Sequence, residues 1–78
     1  MKRAYKQHTY PNITLINQYA IDTNMDKRKW VNYQNKYYRY KKIENKYLNQ
    51  FRLTEDELED HLSIGDELEE LLKEILKK

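Results

Sequence analysis

The chain contains a single glycine, Gly65, and a single proline, Pro11, among its 78 residues. Tight turns between strands usually require glycine, because their backbone adopts positive φ angles. A multi-stranded sheet would need several such turns. The sequence therefore predicts a small all-α domain built from long helices. The alternative is an α+β fold, in which residues 13–21 and part of 29–43 form a small antiparallel sheet packed by C-terminal helices.

The N-terminal end is basic and has no apolar run behind its charges. We expect residues 1–11 to form an extended basic arm, with Lys2, Arg3 and Lys6, that precedes one small helical domain at residues 12–78. A secretory signal requires an apolar stretch, and a membrane-spanning helix requires about 20 consecutive apolar residues. The sequence shows neither pattern, so we predict a cytoplasmic protein that does not contact membranes.

A long tyrosine-rich helix is predicted in the middle of the chain. It begins at Thr23–Asp26, which offers a capping side chain, and it continues to Phe51. At about 100° per residue, its large apolar side chains share an arc of about 100° and are interpreted as core or interface. This stripe consists of Trp30, Tyr33, Tyr37, Tyr40, Tyr47, Leu48 and Phe51. Glu44 lies on the same seam, where its charge requires water or a partner such as a cation of a neighbouring chain.

Shorter helices are predicted on both sides of the long one. Asn12 can cap a short helix at residues 13–21, with Ile13, Ile16 and Ala20 on one face. We expect two short acidic helices after the long one, separated by a break around the glycine. The first of them begins at the capping box of Thr54 and Glu57 and ends near Leu62. The second begins at Ser63–Asp66 and continues to about Lys77.

The net charge of +2 hides a division between the two parts of the chain. Residues 1–52 carry twelve Lys or Arg against three acids, a charge of +9. Residues 53–78 carry ten acids against three Lys, a charge of −7. Such asymmetry suggests two surfaces with different partners, or two halves that attract each other.

Catalytic and metal-binding patterns are missing from the sequence. The absence of cysteine excludes disulfides and thiolate metal sites. A zinc site needs three or four converging ligands, and the only histidines, His8 and His61, lie far apart in the chain. Glycine-rich phosphate loops and a nucleophile elbow around Ser63, the only serine, are also missing. We predict a non-catalytic protein with no metal and no cofactor.

The function predicted first is that of a small regulatory protein that contacts nucleic acid. Lys and Arg neutralise phosphates, and an exposed ring can stack on a base. The side of the long helix opposite the tyrosine stripe carries both kinds of residue. The predicted nucleic-acid site consists of Arg28, Lys29, Tyr38, Arg39, Lys42 and Lys46. The simpler interpretation is a solvated face whose charge is balanced by the acidic helices.

Two further hypotheses come from other functional classes. The chain can be a protein-interaction module that inhibits or adapts a larger complex through its acidic C-terminal helix and exposed tyrosines. Its predicted contact residues are Leu68, Leu71, Leu72 and Ile75. The default alternative is that this stripe covers the tyrosines of the same chain. The third hypothesis is a structural subunit of an assembly, and the small size of the chain also makes a homodimer possible.

Overall fold

The structure, a computed structural model, describes residues 5–77 of the chain. These residues form three helices: α1 (Ile13–Asp22), α2 (Lys27–Leu48) and α3 (Glu55–Leu76). Residues 5–77 contain no strand, so the all-α prediction is confirmed and the α+β alternative is wrong. Helix α2 packs against both α1 and α3. Within the described range, no helix is long and apolar enough to cross a membrane.

Helix α1 begins where the sequence predicts. The side chain of Asn12 accepts a hydrogen bond from the backbone N–H of Leu15 at 2.8 Å, which satisfies one of the free amides of the first turn. Ile16 and Ala20 are buried, and Ile13 packs against the core. The predicted apolar face of this helix is therefore confirmed.

The turn between α1 and α2 differs from the prediction. Thr23 caps the C terminus of α1, and α2 begins later, with Asp26 as its N-cap. Asn24 adopts a φ of 53°, and its amide and the next one donate to carbonyls in the last turn of α1. This Schellman motif normally uses glycine, but asparagine also tolerates the left-handed conformation. A chain with one glycine can therefore still end a helix here.

A second Schellman motif ends α2 at Leu48, three residues before the predicted end at Phe51. Gln50 adopts a φ of 65°, and its amide donates to the carbonyl of Tyr47 at 2.9 Å. The amide of Phe51 donates to the carbonyl of Lys46 at 3.0 Å. Glutamine has no special tolerance for this conformation, so position 50 carries backbone strain.

The acidic part of the chain forms one continuous helix, so the prediction of two short helices is wrong. The capping box is confirmed, because Thr54 and Glu57 exchange side-chain and backbone hydrogen bonds of 3.0 and 3.2 Å. Gly65 lies inside α3 and is buried. A Cβ at this position would lie 2.3 Å from the ring of His8. The glycine therefore permits a close approach rather than a break in the helix.

The core lies between all three helices. Its cluster of buried residues consists of Ile16, Tyr37, Tyr40, Ile64, Leu68 and Leu71. Two rings of the predicted stripe are thus buried, but Leu48 and Phe51 are 66% and 62% exposed. Ile43 is buried although it lies outside the predicted stripe. The buried face of α2, which packs against α1 and α3, therefore includes Ile43 as well as the two tyrosines.

Residues 5–11, which we call the strap, form neither helix nor strand. The strap belongs to the predicted N-terminal arm, and it packs against the helices instead of standing apart from them. His8 is 4% exposed, and Pro11 is fully buried. Lys2 and Arg3 of the predicted arm lie outside the described residues.

Candidate nucleic-acid interface

One side of α2 is exposed and carries no acid. Its residues recur every three or four positions, so they share one face of the helix. We call them the outer face: Arg28, Val31, Asn35, Tyr38, Lys42 and Asn45. The only acid of α2, Glu44, turns to the other side and accepts a hydrogen bond from the hydroxyl of Tyr10 at 2.9 Å. The outer face is therefore a surface that an anion can approach.

Two predicted cations lie at the border between α2 and α3 instead of on the outer face. Arg39 contacts Asp60 at 2.6 Å, and Lys46 contacts Glu57 at 2.9 Å. Hydrogen bonds from the Thr54 backbone and from Lys46 lower the pKa of Glu57. These two cations are partly neutralised within the chain, so they attract a phosphate less strongly than an unpaired cation would.

Lys29 lies apart from the other predicted residues. It lines a groove between the first turns of α2 and the last turns of α3, together with Tyr33, Glu70 and Glu74. Two helical turns further along α2, Lys36 forms an ion pair with Glu67. The cations on this side of α2 face the acids of α3, and Lys29 therefore does not extend the outer face.

The outer face continues into a groove of about 590 Å³ between the end of α2 and the start of α3. Lys42, Asn45, Asn49 and Phe51 line it beside the two border ion pairs. Lys42 forms no ion pair with any described residue. The ring of Phe51 is 62% exposed and is not paired with another described ring. The groove thus combines an unpaired cation with a free aromatic surface.

The sequence interpretation missed Phe51 because it placed this residue in the buried stripe. The polar pair Asn49 and Gln50 before it was the available signal for the end of the helix. Tyr38 lies on the polar side of α2, as predicted: it is 60% exposed, and its ring makes a T-shaped contact with the ring of Tyr37, with centroids 5.5 Å apart. Along α2, Arg28 and Lys42 are fourteen residues apart, which corresponds to about 21 Å.

The predicted protein-interaction residues pack mainly within the chain. Leu68 and Leu71 are 0% and 3% exposed, so the surface that they were expected to offer is filled by α1 and α2. Leu72 and Ile75 are half-buried at the edge of this core. Leu76, which was not in the predicted set, is 71% exposed.

A cluster of rings joins the strap to α2 and α3. The hydroxyl of Tyr40 lies 3.2 Å from both the backbone nitrogen and the Nδ1 of His8. Burial raises the pKa of Tyr40 to about 12, although the hydrogen bond from the His8 backbone opposes this shift. Burial and the bond to Glu44 also raise the pKa of Tyr10. Glu44, the charged residue on the predicted apolar seam, therefore has a tyrosine of the same chain as its hydrogen-bond partner.

Neither histidine belongs to a group of metal-ligating side chains in the described residues. His8 contacts Asp66 through Nε2 at 3.2 Å, and His61 is fully buried with both ring nitrogens unbonded. Residues 5–77 contain no group of three or more His, Cys, Asp or Glu side chains that could hold a metal ion. The sequence interpretation did not bring these two histidines together, because nothing in the sequence shows where the strap docks.

Comparisons with protein-family models, with curated proteins and with solved structures found no match to this chain. The function is therefore argued from the geometry of the outer face and its groove. Three predicted residues, Arg28, Tyr38 and Lys42, lie on this face, and Arg39 and Lys46 border it.

Proposed function

We propose that the protein is a small regulatory protein that binds nucleic acid through the outer face of α2 and the groove beside Phe51. The observation that supports this proposal most directly is the absence of acids from an exposed face that carries two cations, Arg28 and Lys42, and one ring, Tyr38. Helix α2 contains eight Lys or Arg and one Glu, and that Glu is turned away from the face. Phosphates would meet attraction along the face without local repulsion from α2.

The cations divide into two groups with different expected roles. Arg28 and Lys42 are exposed and form no ion pair with a described residue, so each can contact a phosphate directly and release a condensed counterion. Arg39 and Lys46 hold α3 through their ion pairs and contribute mainly to the local field. We therefore expect Lys42 to matter more for binding than Arg39, although both line the groove.

The rings favour a single strand over a duplex as the ligand. Tyr38 and Phe51 are exposed, and stacking on an aromatic ring stabilises a bound base by about 1–3 kcal/mol. Bases in a duplex are already stacked on each other, so the rings contribute only where bases are accessible. Asn45 and Asn49 lie in the same groove and can hydrogen-bond to exposed base edges or to sugar.

The first test is charge reversal at Lys42, measured by fluorescence anisotropy with a labelled single-stranded oligonucleotide. Lys42→Glu is expected to weaken binding by about tenfold at low salt and to reduce the salt slope by about 0.7, the loss of one phosphate contact. The matched control is Lys73→Glu, which makes the same charge change at an exposed position of α3. Equal losses in the two variants would show that only net charge matters and would contradict the proposed site.

A second test separates stacking from charge. Phe51→Ala and Tyr38→Ala are each expected to weaken binding by about tenfold, without changing the salt slope. Val31→Ala, on the same face, is the control and should bind normally. The proposal fails altogether if neither single-stranded nor duplex nucleic acid binds the unmodified chain at low salt.

Protein interaction is the second candidate function, and one observation favours it. Leu76 is 71% exposed beside the half-buried Ile75, which leaves an apolar end on an otherwise acidic helix. Leu76→Asp should leave the fold intact, because this side chain lies outside the core. The test is a pulldown with nuclease-treated lysate, in which a protein partner stays bound to the unmodified chain. If Leu76→Asp no longer captures that partner, the interaction function is supported.

A further inference from the structure

The contact between the strap and the two long helices is centred on His61. We propose that this contact is a pH-sensitive latch, in which protonation of His61 releases residues 5–11 from α2 and α3 while the helices stay folded. This proposal uses the buried ring cluster and does not depend on the nucleic-acid function.

The first argument is the complete enclosure of an unpartnered imidazole. His61 is 0% exposed, and neither of its ring nitrogens has a hydrogen-bond partner among residues 5–77. A neutral imidazole needs one donor and one acceptor partner, and a charged one needs two acceptors. The site therefore tolerates the neutral ring poorly, and no described residue accepts a hydrogen bond from the charged ring.

The second argument is that the strap supplies two of the described rings that pack against His61. The ring of His61 lies 4.6 Å from the Tyr5 ring and 5.6 Å from the His8 ring, measured between centroids. On the other side, the Tyr40 ring of α2 stacks on it at 4.2 Å. Two of its three ring contacts thus belong to residues 5–11, and water would reach the imidazole if those residues moved away.

The surrounding charges determine the sign of the effect. The titratable groups of the cluster are Tyr5, Lys6 and His8 of the strap, Tyr40, Glu44 and Tyr47 of α2, and Asp66 of α3. Burial, and then the neighbouring His8, lower the pKa of His61, and Glu44 only partly opposes them. Glu44 already accepts the hydroxyl of Tyr10, and Asp66 contacts His8 and Lys6. A proton on His61 therefore favours the undocked strap.

The third argument concerns which part of the molecule opens first. The strap forms no backbone–backbone hydrogen bond with any described residue, whereas both long helices are bonded along their whole length. It is held by side chains: Tyr5 stacks on Tyr47 at 3.6 Å, and His8 sits against Gly65 and the hydroxyl of Tyr40. Segments with few backbone bonds open at lower free energy than helices. Local release therefore precedes unfolding of the bundle.

The latch can be tested by NMR on the full chain between about pH 8 and about pH 5, the range in which histidine titrates. The amides of Lys6, Gln7 and His8 are expected to lose their structured chemical shifts and their protection from exchange. The midpoint of this loss should coincide with the titration of the His61 ring protons, and the far-UV ellipticity should stay constant. The proposal is overturned if the strap signals persist through that titration, or if helicity is lost together with them.

A variant identifies the group that titrates. His61→Leu removes the proton site and retains an apolar side chain, so the strap should remain docked at about pH 5. A strap transition that persists unchanged in this variant would assign the effect to another group and overturn the proposal. Should His61→Leu fail to fold, His61→Met serves as the second variant. If neither variant folds, the NMR titration of the unmodified chain still tests whether the strap is released as His61 titrates.

Discussion

Helices α2 and α3 have the same length, 22 residues, but their stability comes from different sources. Helix α3 has a complete capping box and three acids in its first turn, where they favour the helix dipole. Helix α2 has no acid in its first turn, and the only side-chain bond at its N-cap is a 3.4 Å contact from the Arg28 amide to Asp26. The comparison indicates that local sequence specifies α3, whereas packing specifies α2.

The exposed sides of the two helices differ in the same way. The outer face of α2 includes Asn35 and Asn45, which lower helix propensity and are not needed for packing. The exposed side of α3 is rich in glutamate, which is a good helix former. Residues that oppose helix formation on an unpacked face are expected where a surface binds something. This difference supports the proposal that α2 carries the binding surface.

The largest expected change in the free energy of unfolding comes from the buried contact between the two helices. Leu68→Ala should lower the free energy of unfolding by about 3 kcal/mol, because Leu68 is fully buried and its removal leaves a cavity. Urea unfolding followed by circular dichroism measures this change. Leu76→Ala is the control, with an expected change within about 0.5 kcal/mol, since Leu76 is exposed. Similar values for the two leucines would mean that α3 does not pack as described.

The pH dependence of stability is expected to be the next largest effect. The pKa of His61 is lowered in the folded protein, so below about pH 6.5 the unfolded chain binds more protons than the folded one. The contribution of the neutral His61 ring to the free energy of unfolding is fully present above this pH. It is lost as the pH falls, by at most about 1.4 kcal/mol per pH unit. Urea titrations at several pH values measure the slope. His61→Leu should flatten it, and an unchanged slope would exclude His61 as the cause.

The caps of the two helices provide a direct comparison of local stabilisation. Thr54→Ala should cost about 1 kcal/mol, because it removes a capping box with two hydrogen bonds. Asp26→Ala should cost less, about 0.5 kcal/mol, because its single cap contact is long. Both values come from urea unfolding. A larger loss at Asp26 than at Thr54 would reverse the conclusion that α3 is the locally specified helix.

The smallest predicted effect is a gain in stability at the end of α2. Gln50→Gly should raise the free energy of unfolding by about 0.5 kcal/mol, since it relieves a left-handed conformation at the cost of unfolded-state entropy. Asn24→Gly should gain less, because asparagine already tolerates this conformation. Thermal melts of the two variants give the comparison. Destabilisation by Gln50→Gly would show that its side chain contributes more than the strain it imposes.

Elements with a local cause were predictable from the sequence. The Asn12 cap and the Thr54–Glu57 capping box each involve residues within one helical turn, so their spacing is sufficient evidence. The absence of turn glycines likewise pointed to helices. Of the candidate interface, the exposed positions Arg28, Tyr38 and Lys42 could be assigned because helical periodicity separates the two sides of α2.

Features that depend on long-range contacts were not predictable. The sequence could not show that Gly65 makes room for His8, fifty-seven positions away, so the glycine was misread as a helix break. It also could not show that Asp60 and Glu57 pair with Arg39 and Lys46. Whether a cation is free or paired depends on which helix lies beside it.

The sequence by itself determined the all-α class, the start of α1 and α3, and the opposite charges of the two long helices. These properties follow from backbone propensity, capping and composition, which act within a few residues. The tertiary structure alone decided which face of α2 is buried, which cations remain free, and where the strap docks. These outcomes depend on side chains that meet across tens of residues, and only the packed core brings them within the few ångströms at which hydrogen bonds and ring contacts act.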